Sequence, residues 1–312
     1  MLRWRGAENA PTGWGRCVAT IGQYDGVHLG HQALVRKTVE QARARNLPSL
    51  VLTFDPHPRE VLQPGAHPPI LTGLKRKAEL LDECGVDALC VVPFTRTFAK
   101  VSPQAFVHEI LIEHLHPTKV NVGANFTFGH KAAGNVQLLG ELGQQYGFEV
   151  ESIGLVIEGG HQISSTYIRS CVAAGEVAEA AAALGRPHRI EGLVVRGDMR
   201  GRGIGFPTAN LRPPMYTAIP GDGVYAGWLY VRGEARPAAI SVGTNPTYSG
   251  QERRVESYLL DFEGDLYGEQ VQVDFIERIR PMVAFADPAD LIPAIEEDVR
   301  RTRAVLERPQ GW

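Results

Sequence analysis

The stretch Gly22-Gln23-Tyr24-Asp25-Gly26-Val27-His28-Leu29-Gly30-His31 decides how the first half of the chain is read. Just before it, Cys17-Val18-Ala19-Thr20-Ile21 is short, β-branched and mostly apolar, the pattern of a strand buried on both faces of a parallel sheet. Just after it, residues 32–46 set Ala33, Leu34, Val35, Val39 and Ala42 among charged residues, which predicts an amphipathic helix. The stretch is therefore a glycine-bearing turn from a strand into a helix start. Backbone N–H groups at a helix N-terminus lack intrahelical partners and sit at the positive end of the dipole, so they attract phosphate. Two histidines three residues apart, on the turn and at the helix start, can aim at one anion. Each part also has a plainer reading, since such glycine turns are common and a histidine there can simply cap the helix. Half a zinc site is disfavoured, because no Cys or acidic partner stands at ligand spacing nearby.

The alternation continues outward. Residues 49–54 predict a second buried strand, stopped by Asp55-Pro56-His57-Pro58, where two prolines fix an extended turn. Residues 63–69 form a Pro-rich loop and 74–84 a helix. Strand 88–92, helix 106–115 behind Ser102-Pro103, strand 119–123, helix 136–146 and strand 149–157 follow. Residues 1–15, with Pro11 and three glycines, predict a loose lead-in. Strands alternating with helices imply a doubly wound parallel sheet that binds ligands at the strand C-terminal ends. Residues 172–184 predict a closing helix, and Arg186-Pro187 marks a domain boundary, giving domains 1–185 and 186–312.

From His188 the pattern changes to alternating strands at 190–195, 224–231, 238–242, 255–262 and 271–278, with glycine and proline in the turns. This predicts an antiparallel β-barrel, followed by a terminal amphipathic helix over 291–306. The run from Gly197 to Leu211, with Gly197, Gly201, Gly203 and Gly205, permits backbone conformations and close approaches that other residues forbid, as a flap over phosphates needs. It lacks the GK[ST] of a Walker loop and the spacing of a dinucleotide fold. Many such runs are only flexible hairpins.

At 312 residues, with 44% hydrophobic and 21% charged residues, the chain fits two ordinary globular domains. A net charge of −3, from 32 Lys and Arg against 35 Asp and Glu, argues against nucleic acid and an anionic membrane as partners. No run of 18 apolar residues and no apolar signal core is present, and the four cysteines are scattered without a C-x-x-C. A cytoplasmic protein with reduced thiols is expected, its oligomeric state open.

The combination of Asp25, Gly26, His28, Gly30 and His31 resembles the HxGH signature of the nucleotidyltransferase superfamily in its flavin-type form, G-x-F-D-G-x-H-x-G-H. Tyr24 replaces the usual Phe. Ile163-Ser164-Ser165-Thr166-Tyr167-Ile168-Arg169 resembles the I-S-S-T-x-I-R motif of the same superfamily, with Tyr167 where many relatives carry Arg; its hydroxyls can equally be helix caps. Gly205-Phe206-Pro207-Thr208-Ala209-Asn210-Leu211 resembles the riboflavin kinase signature. Further matching pieces are Gly223-Val224-Tyr225-Ala226-Gly227, Ser241 to Thr247, and Val255-Glu256-Ser257-Tyr258-Leu259-Leu260. Together they resemble the prokaryotic bifunctional riboflavin kinase/FMN adenylyltransferase (FAD synthetase) family over about 290 residues.

The resemblance implies a Rossmann-like adenylyltransferase domain and a barrel kinase domain with ATP, riboflavin and FMN as substrates and Mg²⁺ as cofactor. It implies ATP and phosphate binding at Gly22, Tyr24, Asp25, Gly30, Asn125, Ser164, Thr166, Arg169, Gly201, Arg202 and Gly205. Phe54, His57 and Pro58 would wall the flavin, and Thr208 and Asn210 would hold the metal. His28, His31 and Glu256 would be catalytic. Asp25 is a turn former or a ligand, and Glu256 could also be a solvent-facing strand residue. Retention of one activity only, or a non-catalytic flavin- or nucleotide-binding regulator, are the alternatives; Gln23, Tyr24 and Tyr167 are the departures that would favour the former.

Overall fold

A six-stranded parallel sheet forms the frame of the first half. The computed structural model describes residues 1–154, 157–158, 161–197, 205–244, 253–283 and 288–309. Its chain divides into two compact units, 1–68 with 73–163, and 69–72 with 164–312.

In the first unit the strands are β1 (Leu2–Arg5), β2 (Cys17–Ile21), β3 (Ser49–Asp55), β4 (Ala88–Pro93) and β5 (Pro117–Gly123). The short hairpin β6 (Thr127–Phe128) and β7 (Gly134–Asn135) precedes β8 (Glu149–Ile153). The sheet order is β1-β4-β3-β2-β5-β8, and every pairing in it is parallel. Helices α1 (Leu29–Ala44), α2 (Pro58–Leu62), α3 (Leu74–Glu83) and α5 (Val136–Tyr146) connect the strands, with α4 (Pro103–Ala105) between them. The short α4 runs on into a wider helix over Phe106–Leu115, whose end bonds the His116 N–H to the Leu111 carbonyl five residues back.

One sheet face packs Ala19, Ile21, Leu50 and Leu52 against Phe106, Leu111, Leu115 and Leu139. The other packs Val51, Leu89 and Val91 against Leu34, Val35, Val39 and Leu81. Both faces are covered, which is why β2 reads as unbroken apolar sequence. All four cysteines are free, and burial pushes the Cys17 and Cys90 thiols up to about 12, so they stay protonated.

Two local expectations are corrected here. The lead-in is not loose: Leu2–Arg5 adds an edge strand beside β4, its Trp4 ring meeting Trp14 edge-on at 5.1 Å over the core. The N-terminal ammonium sits 3.4 Å from Asp82. The strand expected over 149–157 ends at Ile153, before Gly154; Ile157–Glu158 (β9) pairs instead with His161–Gln162 (β10).

The second unit holds a closed antiparallel barrel of β11 (His188–Val195), β12 (Thr208–Arg212), β15 (Arg253–Leu259), β14 (Glu234–Thr244), β13 (Gly223–Val231) and β16 (Gln270–Arg280), in that order around the ring. Ile190, Leu211, Leu229, Ile240, Val255, Val273 and Phe275 fill it. The closing helix is two helices, α6 (Ser165–Ala174) and α7 (Val177–Leu184), broken at Gly175, whose φ of +81° suits a residue without a side chain. Residues 69–72 join this unit through Ile70, whose N–H donates to the Tyr216 carbonyl at 2.7 Å. The terminal helix α8 (Pro288–Leu306) is pinned by the paired hydrogen bonds of Arg280 to Asp298, 2.8 and 2.7 Å.

Phe275 is fully buried and meets the Tyr225 ring edge-on at 5.4 Å. Phe275→Ala is expected to destabilise the barrel by about 3–5 kcal/mol, read as a lower denaturant midpoint at unchanged m-value.

Candidate functional site

Strand order places the first site. From β2 the chain goes to β3 and β4 on one side, while β5 and β8 lie on the other, so the direction of winding reverses between β2 and β5. A crevice opens at such a switch point beyond the strand C-termini, and open α/β sheets bind their ligands there. The turn from Gly22 to His31 leaves β2 at this point, and Gly123, Ala124 and exposed Asn125 leave β5 beside it.

His28 is the N-cap of α1, its Nδ1 accepting the His31 N–H at 3.3 Å. An accepting Nδ1 leaves the hydrogen of a neutral imidazole on Nε2. The two histidine rings stack, with centroids 3.6 Å apart and planes 18° from parallel. A Cβ on Gly30 would lie 3.2 Å from the His28 ring, so a residue without a side chain lets the pair close up. Ile163, just before Ser164, brings its carbonyl to 3.9 Å from the same point.

Other first-half candidates are placed differently. Asp25 is 3% exposed, within the turn. The Tyr24 side chain is wholly buried, so only its backbone could face a ligand; burial pushes its phenol up. Thr20 Oγ1 donates to the Asn121 carbonyl at 2.8 Å, so it is the Tyr24 hydroxyl that donates to Thr20, at 2.7 Å. Tyr24→Phe removes that bond alone, and about 1 kcal/mol lost from thermal unfolding, with FAD synthesis retained, is the expected outcome. The Gly22 N–H is used by the Leu52 carbonyl at 3.1 Å.

At the ends of β3 and β4, Phe54 lies 6.0 Å from Phe94 and 5.9 Å from Phe98, centroid to centroid. His57 caps α2 by accepting the Arg59 N–H at 3.1 Å, with Pro58 in the first helical position. Phe94 and Phe98 were missed in the sequence, although Phe94 directly follows a strand end, the rule that located the other candidates.

Ser164, Thr166 and Arg169 belong to the second unit. Ser164 caps α6, accepting the Tyr167 N–H at 3.1 Å; Thr166 is exposed; Arg169 Nε donates to the Pro69 carbonyl at 2.6 Å.

The barrel brings its own candidates together. Along β12 the buried Ala209 and Leu211 alternate with half-buried Thr208 and Asn210, which face outward. Pairing sets Asn210 opposite Glu256 of β15, and Ser241 of β14 opposite Glu256 on its other side. The Thr208 hydroxyl donates to Glu256 Oε2 at 3.3 Å. A Cβ on Gly197 would fall 2.5 Å from the Asn210 amide, so the glycine makes room for that side chain. Beside it a cavity of about 500 Å³ is lined by Gly197, Pro207, Thr208, Asn210, Phe262 and Tyr267. Gly205 has φ +91°, while Gly201 and Arg202 lie outside the described residues. Ser241 opens one of the kinase-like pieces of the sequence but was not among the candidate site residues; only the register makes it a neighbour of Glu256.

Two family models match the chain, FAD synthetase over residues 10–167 and riboflavin kinase over 184–306. The chain is 42% identical to the bifunctional riboflavin kinase/FMN adenylyltransferase of Escherichia coli K12 over 283 residues, 90% of each protein. It belongs to the bifunctional riboflavin kinase/FMN adenylyltransferase family. It is 40% identical to the family member of Listeria monocytogenes, with 93% of each chain covered. A Streptococcus pneumoniae crystal structure described as a macrolide-efflux protein superposes with a TM-score of 0.87 at 32% identity, covering 97% of this chain and 99% of that one. In the present chain no described helix is long and apolar enough to cross a membrane. The family member carries out two steps: ATP phosphorylates riboflavin to FMN, and a second ATP adenylylates FMN to FAD with release of pyrophosphate.

Proposed function

We propose that FMN is adenylylated at the turn Gly22–His31 and riboflavin is phosphorylated on the outer face of the barrel at Glu256. The observation that carries the first assignment is that the histidine turn and Asn125 leave the two strands flanking the switch point. The phosphate of FMN attacks the α-phosphorus of ATP and pyrophosphate leaves. A phosphomonoester is largely ionised at neutral pH, its second pKa being about 6, so no protein nucleophile is needed. Catalysis comes from positioning and charge stabilisation. The Nε2–H of His28 and the imidazole of His31 steady the charge on the α-phosphate and leaving group. Asn125, Ser164, Thr166 and Arg169 bind phosphate, and Phe54, His57 and Pro58, with Phe94 and Phe98 behind Phe54, wall the flavin.

In the kinase reaction the ribityl 5′-hydroxyl is a weak nucleophile, and Glu256 accepts its proton as it attacks the γ-phosphorus. Among the described residues no cluster of three His, Cys, Asp or Glu side chains could hold a metal alone. Thr208 Oγ1 and the Asn210 carboxamide are hard oxygen donors beside one carboxylate, which fits a magnesium ion that takes its other ligands from phosphates and water. When bound, it neutralises charge on the transferred phosphoryl group. The boundary between the two activities is placed at 185/186, a reading supported by a riboflavin kinase family match that begins at residue 184.

The test is a time course of riboflavin, FMN and FAD by chromatography, with ATP and Mg²⁺. FMN is expected to rise and then convert to FAD, and supplied FMN is expected to be adenylylated at full rate without riboflavin. FAD formation that depended on riboflavin turnover would overturn the separation of sites.

A further inference from the structure

Helix α3 carries a lysine where its apolar stripe calls for a hydrophobe. Leu74, Lys77, Ala78 and Leu81 recur at helical spacing on its packed face, and Lys77 is only 5% exposed. A buried ammonium is costly unless it is hydrogen-bonded and balanced by charge. Lys77 Nζ donates to the Gln23 carbonyl at 2.8 Å. Burial pulls its pKa down, while Asp25 and Asp55 favour the charged form. Asp55 pairs with Arg5 at 2.8 Å, and Asp25 is 3% exposed within the same turn.

The carbonyl that Lys77 holds is a point of control. It also accepts from Thr53 Oγ1 at 3.3 Å, and the Gln23 side chain reaches the Phe54 carbonyl at 3.1 Å. Directly beyond it the backbone takes positive φ at Tyr24 (+49°), Gly26 (+84°) and Val27 (+39°). A tyrosine and a β-branched valine are strained there and persist only where the surroundings over-determine them. The next residue is His28.

We propose that Lys77 is a positioning residue for adenylyl transfer: by holding the Gln23 carbonyl, it makes the strained turn present His28 and His31 in one orientation. This rests on the turn being the adenylylation site.

Lys77→Met in the full chain keeps most of the stem and removes the charge. With supplied FMN and ATP, kcat for adenylylation is expected to fall about 100-fold, as when catalytic groups are displaced by about an ångström. KM for ATP and FMN should stay within about threefold, the loss being one of orientation rather than ground-state binding. Riboflavin phosphorylation by the same preparation should be unchanged. Lys77→Arg, which keeps a cation and a donor, should recover about tenfold of the loss. Thr53→Val, which removes only the second donor to the same carbonyl, should lower kcat in the same direction and carries the test should Lys77→Met fail to fold. If Lys77→Met and Thr53→Val keep wild-type kcat while a His28→Ala, His31→Ala chain loses FAD synthesis, the role of Lys77 is overturned and the site stands. If the histidine variant also keeps full activity, the site reading falls and the proposal with it. A deficit confined to thermal stability, with kcat intact, overturns the proposal too.

Discussion

Glu256→Gln is expected to lower riboflavin phosphorylation by about 10²–10⁴-fold, the range that general-base catalysis supplies. Glutamine has nearly the shape of glutamate, and its side-chain oxygen can still accept the Thr208 hydroxyl that now reaches Oε2 at 3.3 Å. What it cannot do is take a proton from the ribityl alcohol. The loss should therefore fall on kcat, with KM for riboflavin little changed, and the barrel should unfold at the same denaturant concentration. Adenylylation of supplied FMN should proceed at the wild-type rate, since that chemistry is assigned to another part of the chain. Rapid-quench chromatography on riboflavin and on FMN separates the two. Wild-type phosphorylation by Glu256→Gln would remove Glu256 from the base role and leave it a ligand neighbour of Thr208 and Asn210.

The complementary experiment removes both imidazoles. His28→Ala, His31→Ala should lose FAD synthesis by at least about 10³-fold while FMN formation continues, because each preorganised donor to developing phosphate charge is worth about 10²–10³. The two rings stack at 3.6 Å, so the single variants should not be additive. His28 also caps α1, and losing a cap costs about 1 kcal/mol of stability by itself. His28→Asn separates these effects: asparagine can accept the His31 N–H and restore the cap, but it brings no imidazole. Restored stability with FAD synthesis still absent is the expected pattern. FAD synthesis recovered by His28→Asn would make His28 a cap and nothing more.

Much of this was legible in one dimension, for a physical reason. Periodicity is local: β2 and α5 begin and end where the residue pattern puts them, because apolar spacing reports directly which face of an element is covered. The doubly wound sheet, the antiparallel barrel and the terminal helix follow from the same signal. The pairing of His28 with His31 was legible too, since they lie within one turn of helix and need no distant partner to be brought together.

Elements supported by partners far along the chain were not legible. β1 is four residues long with one packed ring, and it is a strand only because β4 offers a free edge. β12 hides behind a glycine-rich run, and its pairing with β15 decides that it is a strand. That same pairing carries Asn210 to Glu256 across 46 residues of sequence and, through β14, Ser241 to the same carboxylate.

Lys77 is the clearest case. Its sequence position shows a lysine on an apolar stripe, whereas its bond to the Gln23 carbonyl exists only because α3 packs over the β2 turn. The sequence by itself thus determined most of the elements and the two motif-bearing turns, which are consequences of spacing along the chain. Tertiary structure alone decided strand order, barrel closure and the buried charge beneath the histidine turn, since these depend on which distant surfaces bury one another.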